Sequence, residues 1–371
     1  MGTNKVVVVG IGRLGLCFAL TLERGGYDVV GIDIKEDYIK SINSKTFLSP
    51  EPKVNKYLRD SRYFVATSCL KEAICGADII FVTLRTESLP SGKYDHSQVE
   101  SFLRSLVELG KMRETKDLVI CSNVCPGYSN EIQNRIKELN YIVSFNPEWV
   151  AQGTILQNQE CPDLVVIGEG SQESGNRIEE IYKRICSNDP PVHKMDRLSA
   201  EITKVGLNCF LTTKITYANM LGEIAIQSGV DPEPILKAIG GDSRINTKYF
   251  NYGFGYGGPC FPRDTRALVY YGNQIGIDPI IVRSVMETNK KHLDFQVEKF
   301  LEDKDKSESM VFDSITYKKG TIIIEESQQL LFAVKIAEKG YKVIIREDIR
   351  VIDQVKEIYG DIFDYEISNQ G

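Results

Sequence analysis

The sequence predicts an α/β protein in three parts. A mostly parallel, helix-covered sheet comes first, then a helical middle built on one long helix, then a smaller α/β unit. Three observations carry this. Short β-branched runs alternate with helical stretches over the first ~120 residues, the rhythm of βαβ units. One uninterrupted helical pattern runs over about residues 197–228. After a charged stretch at 302–309, a strand–loop–helix–strand pattern resumes.

In order, the first strand is the valine run at residues 6–9, which ends in glycine. A helix follows over about 14–24, and a second strand over 29–32. Residues 77–84 and 118–122 read as further strands, with 141–145 and 164–167 as later strands of the same sheet. The long helix contains no proline and two glycines, Gly206 and Gly222. Asp231-Pro232 starts another helix, because proline suits a first helical turn. A Gly/Tyr/Phe-rich loop at 249–262 leads into helices that run to about 302. The last unit reads as strand 310–315, helix 326–339 and strand 343–346. The expected domains are therefore residues 1–194, 195–300 and 301–371.

Length and composition agree with this reading. At 371 residues the chain is long enough to bury large cores without disulfide or metal staples. Hydrophobic residues make up 42% and charged residues 26%, which excludes a disordered or collagen-like chain. The net charge is −6 with no basic run, which argues against a nucleic-acid partner. No apolar run reaches membrane-spanning length. The N-terminus passes at once into a strand, without the apolar core of a secretory leader. Nine cysteines, an odd number at irregular spacing, fit a reducing compartment, so a cytoplasmic protein is expected. No CxxC pair points to a metal.

Gly10-Ile11-Gly12-Arg13-Leu14-Gly15 matches the dinucleotide fingerprint G-x-G-x-x-G. It follows a strand and opens a helix, as the motif requires. Gly10 allows the tight turn, Gly12 lets backbone approach a pyrophosphate, and Gly15 permits close packing of helix on sheet. The phosphates meet the free N–H groups of the helix start. Asp33 ends the second strand, where a carboxylate bonds the ribose hydroxyls and repels a 2′-phosphate. NAD is therefore expected over NADP, with Lys35 softening the preference.

The segment 253–264, G-F-G-Y-G-G-P-C-F-P-R-D, is the most informative stretch. Its glycines let backbone wrap closely round a ligand. Cys260 lies just before Arg263 and Asp264, and a nearby cation favours the nucleophilic thiolate. Asn146-Pro147-Glu148 follows an apolar strand, which puts Glu148 at a strand's carboxyl end, where α/β sheets bind ligands. Lys204 and Asn208 lie four apart on the long helix, hence on one face.

Taken together, these segments resemble the UDP-glucose/GDP-mannose dehydrogenase family over nearly the whole chain. The resemblance implies an NAD-binding Rossmann domain, a helical domain that dimerises through the long helix, and a C-terminal Rossmann-like domain for a UDP-sugar substrate. It implies oxidation of a C6 alcohol to a carboxylate with two NAD⁺, through a thiohemiacetal and thioester on Cys260. By the same resemblance, Lys204 and Asn208 stabilise the oxyanions, Asp264 supports Lys204 and a water, and Glu148 is a base or positions water. Arg263, Thr83 and Ser122 belong to the cofactor side. Trp149, Val150, Arg244, Tyr249, Tyr256, Gly257 and Lys318 match positions that contact the sugar nucleotide, Arg244 that of a neighbouring subunit.

The chain departs from the family pattern at several places. Asn123 stands where the family has a threonine that orders a catalytic water. Gln152 replaces a glutamate near the nicotinamide, and Glu325 replaces an arginine for the phosphates. The expected reaction is UDP-glucose to UDP-glucuronate. GDP-mannose or a UDP-N-acetylhexosamine is the alternative substrate, and a weakened sugar-nucleotide-binding homologue the third reading. A two-domain hydroxyacid dehydrogenase would share the fingerprint and the long helix but would need neither Cys260 nor a third domain.

Overall fold

The structure is a computed structural model that describes residues 4–368. Residues 1–3 and 369–371, and with them the first residues of the leader reading, lie outside the described residues. The chain divides into two compact units, Met1–Lys204 and Val205–Gly371. The division falls inside the helix Arg197–Gln227, which itself ends within one residue of the expected long helical pattern.

The first unit is built on an eight-stranded sheet. Its strands are β1 (Lys5–Val9), β2 (Asp28–Ile32), β3 (Phe64–Thr67), β4 (Ile79–Val82), β5 (Lys116–Ile120), β6 (Tyr141–Phe145), β7 (Val165–Glu169) and β8 (Val192–Asp196). Their order is β3-β2-β1-β4-β5-β6-β7-β8. Every pairing is parallel except β6 with β7, where Phe145 faces Gly168. The valine run explains itself once both faces are covered. Val6 and Val8 belong to the core on one face, Val7 and Val9 to the core on the other. A strand buried on both sides therefore reads as a continuous apolar run.

The chain builds from β1 outward in one direction through β2 and β3, then returns to β4 and proceeds the other way. This reversal opens a crevice at the carboxyl ends of β1 and β4, the ordinary ligand position of such sheets. The expected strands at 77–84 and 118–122 are shorter or shifted, because residues after Val82 and Ile120 leave the sheet to line that crevice. Two strands were not expected. The four-residue β3 has no apolar alternation, and β8, Val-His-Lys-Met-Asp, is an edge strand with exposed side chains.

The second unit holds the remainder of the long helix and the helices Pro232–Gly240, Phe261–Gln274 and Ile280–Leu301. Asp231 caps the first of these, accepting from the Glu233 N–H at 2.9 Å, with Pro232 in the first turn. A three-stranded parallel sheet follows: β9 (Ser309–Phe312), β10 (Lys342–Glu347) and β11 (Asp364–Ile367), in the order β11-β10-β9. Strand β9 is shorter than the expected 310–315 because Ile315 turns inward to the core. The helix Gln328–Glu338 starts two residues later than expected, since Ser327 is its cap and accepts from the Leu330 N–H. The helix Ile349–Tyr359 and β11 had no clear sequence signal. Among the described residues, no helix is long and apolar enough to cross a membrane.

Candidate active site

The first unit carries the dinucleotide crevice. Gly10 has φ +88° and donates its N–H to the Ile32 carbonyl at 2.8 Å, closing the turn after β1. A Cβ at Gly15 would overlap the Gly10 carbonyl oxygen and Thr83 Oγ1, so helix Arg13–Arg24 packs here without room for a side chain. Gly12 instead faces open space; a Cβ there meets nothing within 4 Å. That is the geometry a pyrophosphate at a helix start needs. Thr83, just past β4, donates Oγ1 to the Gly10 carbonyl at 2.8 Å and fixes the turn from the other side. Tyr38 donates to the Ile11 carbonyl at 2.7 Å. Asp33, expected to end β2, instead follows it directly, one residue beyond Ile32, and its Oδ1 accepts the Lys35 N–H at 3.1 Å.

Arg13, the fourth position of the loop, reaches Gln152 and donates to its Oε1. Ser122 and Asn123 follow β5. Ser122 Oγ donates to the Val82 carbonyl at 3.3 Å, and the Asn123 carbonyl accepts Thr86 Oγ1 at 2.7 Å. The loop beyond them is tied to the long helix. The buried Glu201 carboxylate accepts the Gly127 N–H at 2.6 Å and the Ser129 N–H at 2.9 Å, satisfying the start of helix Tyr128–Ile136.

Past β6, Asn146 is fully buried between the Val166 carbonyl and the Tyr182 hydroxyl, which turns the chain into the Glu148 segment. Burial pushes the Glu148 carboxyl up to about 7, against the opposing effects of a hydrogen bond from Gln159 and the charge of Lys204. Gln159 Nε2 reaches Glu148 Oε2 at 3.3 Å. Glu148 Oε1 and the neighbouring Trp149 Nε1 are buried with no hydrogen-bond partner among the described residues. Lys204 donates Nζ to the Glu148 carbonyl at 2.8 Å and stands 4.4 Å over the Trp149 ring. Val150 packs partly buried on the core, and Gly153 (φ +85°) donates to both oxygens of the buried Glu51.

The second unit carries the thiol. Cys260 is exposed and occupies the N-cap position of helix Phe261–Gln274, with the Arg263 guanidinium 4.0 Å from its sulfur. A helix start and a guanidinium beside a thiol both favour negative charge there. Asp264 is fully buried: its Oδ2 accepts Asn208 Nδ2 at 2.5 Å, and its Oδ1 lies 3.5 Å from Arg263 Nε. Of the other cysteines, Cys17, Cys121, Cys125 and Cys209 are buried, and Cys75 and Cys161 are exposed. Burial pushes the Cys209 thiol up to about 12.

The loop before Cys260 is tightly packed. A Cβ at Gly257 would overlap the Glu326 carbonyl oxygen, and at Gly258 (φ +77°) the Tyr317 ring. Tyr256 is buried, and burial pushes its phenol up to about 12. Arg244 stands apart from this loop. It is 85% exposed and paired with Asp242 at 2.7 Å. Tyr249 is half-exposed with φ +61°. The Lys318 carbonyl closes a turn with Thr321 Oγ1 at 2.7 Å. Glu51, Gln159 and Thr86 had no sequence signal; Glu51 and Thr86 meet their partners 102 and 37 residues away.

A doubly wound sheet whose switch-point crevice carries an intact dinucleotide loop, on a chain with an exposed thiol at a helix start, is the arrangement of a nicotinamide-dependent dehydrogenase. Residues 4–186 match the NAD-binding domain of the UDP-glucose/GDP-mannose dehydrogenase family and residues 198–291 match its central domain. The chain belongs to this family and is an NAD-dependent nucleotide-sugar 6-dehydrogenase. It is 30% identical over 346 residues to a UDP-glucose 6-dehydrogenase of Rickettsia bellii, covering 91% of this chain and 79% of that one. It is 27% identical over 355 residues to a GDP-mannose 6-dehydrogenase of Pseudomonas aeruginosa, covering 92% and 80%. Its fold is similar to a UDP-glucose dehydrogenase structure from Pyrobaculum islandicum, with TM-score 0.88 and 27% identity over 98% of this chain and 86% of that one.

Proposed function

We propose that the chain oxidises UDP-glucose to UDP-glucuronate, with Cys260 as covalent nucleophile. The observation that carries the nucleophile is the exposed Cys260 sulfur at a helix start, beside Arg263. NAD fits the first unit: the open face of Gly12 and the turn of Gly10 suit a pyrophosphate, and Asp33 suits a ribose. Bound NAD accepts the hydride in each of two oxidations. Loss of a proton and a hydride from the C6 alcohol gives the aldehyde. The thiolate adds its electron pair to the aldehyde carbon, forming a C–S bond. Loss of a second hydride leaves a thioester, and water breaks the C–S bond to release carboxylate and thiol.

The chain's own residues divide this work. Lys204 and Asn208 hold the oxyanion, which a fixed cation and an amide donor favour. Glu148, with its carboxyl near neutrality, takes a proton or activates the hydrolytic water, and Asn123 holds that water. Asp264 keeps Asn208 in place. Gly10, Ile11, Gly12, Arg13, Leu14, Gly15, Lys35, Thr83, Ser122, Gln152 and Arg263 serve the cofactor. Trp149, Val150, Arg244, Tyr249, Tyr256, Gly257 and Lys318 serve the sugar nucleotide.

GDP-mannose is the second reading, favoured by relatives of that activity at 27% identity. The loss of a glutamate at Gln152 and an arginine at Glu325 favours the third, a slow sugar-nucleotide-binding homologue. We also read the chain as three domains, 1–194, 195–300 and 301–371, as cytoplasmic, and as a homodimer built on the long helix. A panel of UDP- and GDP-sugars with NAD⁺, followed by NADH absorbance, ranks the substrates. Cys260→Ser is expected to lose net acid formation; undiminished acid production by that variant overturns the nucleophile.

A further inference from the structure

His292 lies on helix Ile280–Leu301, is 1% exposed and touches two acceptors. Its Nδ1 is 2.6 Å from Glu223 Oε1, on the long helix, and its Nε2 is 2.7 Å from the Gly253 carbonyl. The ring thus bridges a side chain of the long helix and a backbone carbonyl of the loop that leads to Cys260. The Tyr252 ring also faces His292, edge-on at 5.7 Å. Gln296, one turn further on, also donates to the Gly253 carbonyl, at 3.1 Å.

Gly253 opens the loop that ends at Cys260. Its N–H is taken by Asn219 Oδ1 at 3.0 Å, one turn before Glu223. Asn289, one turn before His292, accepts the Tyr256 N–H at 2.9 Å and donates to its carbonyl at 3.0 Å. The backbone of 253–256 is thus held by side chains of two helices, Asn219 from one and Asn289, His292 and Gln296 from the other. Only the glycines, proline and cysteine at 257–260 separate this anchor from the sulfur.

We propose that Glu223 and His292 are positioning residues that set the path of the Cys260 loop, and so govern the thiolate step and not the first oxidation. The proposal rests on the reading of Cys260 as nucleophile. Neither residue touches the thiol; they act through the Gly253 carbonyl. A shift of about 1 Å at a reacting atom costs on the order of 10²-fold in rate.

The test follows both oxidations in rapid mixing, with the full chain, NAD⁺ and UDP-glucose as probe, or GDP-mannose where the wild type turns over that sugar instead. His292→Gln and Glu223→Gln are each expected to slow the second, acid-forming oxidation by roughly 10- to 100-fold while the first NADH appears at the wild-type rate at saturating substrate. The double variant is expected to be no slower than the slower single variant, because the two residues act as a unit. Glu223, partly exposed, serves where the buried His292 variant fails to fold. Folded variants that slow both oxidations alike, or neither, overturn the proposal. Cys260→Ala separates the two readings. Full acid formation by Cys260→Ala overturns the nucleophile. Its loss there, with an unchanged second oxidation in His292→Gln, overturns the positioning pair alone.

Discussion

Asn208 donates to Asp264 across 2.5 Å inside the second unit, joining the long helix to the helix that starts at Cys260. Both groups are buried, so neither has water as a substitute partner. Asn208→Ala is expected to lower stability by about 1.5–3 kcal/mol, the range for a hydrogen bond to a charged group. Thermal unfolding measures this. A melting temperature equal to that of the wild type contradicts it.

Glu148 gives a pH dependence with two opposite consequences. Its carboxyl is pushed by burial from an ordinary 4.5 up to about 7, so the folded state prefers the protonated form. Its contribution to stability is complete below 4.5 and is lost as pH rises through about 7. As a base it works only once deprotonated, so kcat/KM is expected to rise across the same range. Glu148→Gln is expected to flatten both profiles and to lower the rate by ~10²–10⁴. Unchanged profiles in that variant would remove Glu148 from the base role.

Gln152 accepts from Arg13 but has no charge and cannot take up a proton at neutral pH. If a carboxylate at this place assists thioester hydrolysis, the chain is expected to show a burst of NADH and then a slow steady state. Gln152→Glu is expected to speed the slow phase by ~10-fold or more, as a restored general base does. A wild-type trace with no burst, and no gain in the variant, leaves Gln152 with the cofactor side only.

The long helix exposes Phe210, Tyr217 and Ile224, spaced seven apart, at 62%, 50% and 56%. Such a stripe on one helix face is suited to a partner. Phe210→Glu with Tyr217→Glu is expected to convert a dimer to monomers in sedimentation. A fully active wild-type monomer at micromolar concentration rules the dimer out.

How much of this was legible depended on whether the signal was local. The fingerprint, β6 and the Asp231-Pro232 helix start are written in adjacent residues, and the structure has them at the expected places. Strand β8 was not legible, because an edge strand with His193 and Lys194 exposed needs no apolar pattern. The antiparallel β7 carries no sign of its direction. Among the candidate residues, Cys260 and Glu148 were each marked by a motif. Glu51 and His292 were not, since each meets its partner from far along the chain.

The grip of Glu201 on the amides of Gly127 and Ser129 bears on where the chain can be cut. An expressed cofactor-binding fragment that stops before residue 197 would strand both amides at the start of helix Tyr128–Ile136, beside the turn that holds Asn123. A fragment carried on to Lys204 keeps the carboxylate and the lysine that lies on the Glu148 carbonyl. The first seven or eight residues of the long helix are thus as much a part of the dinucleotide module as its strands, and truncation designed on the sheet alone would remove them.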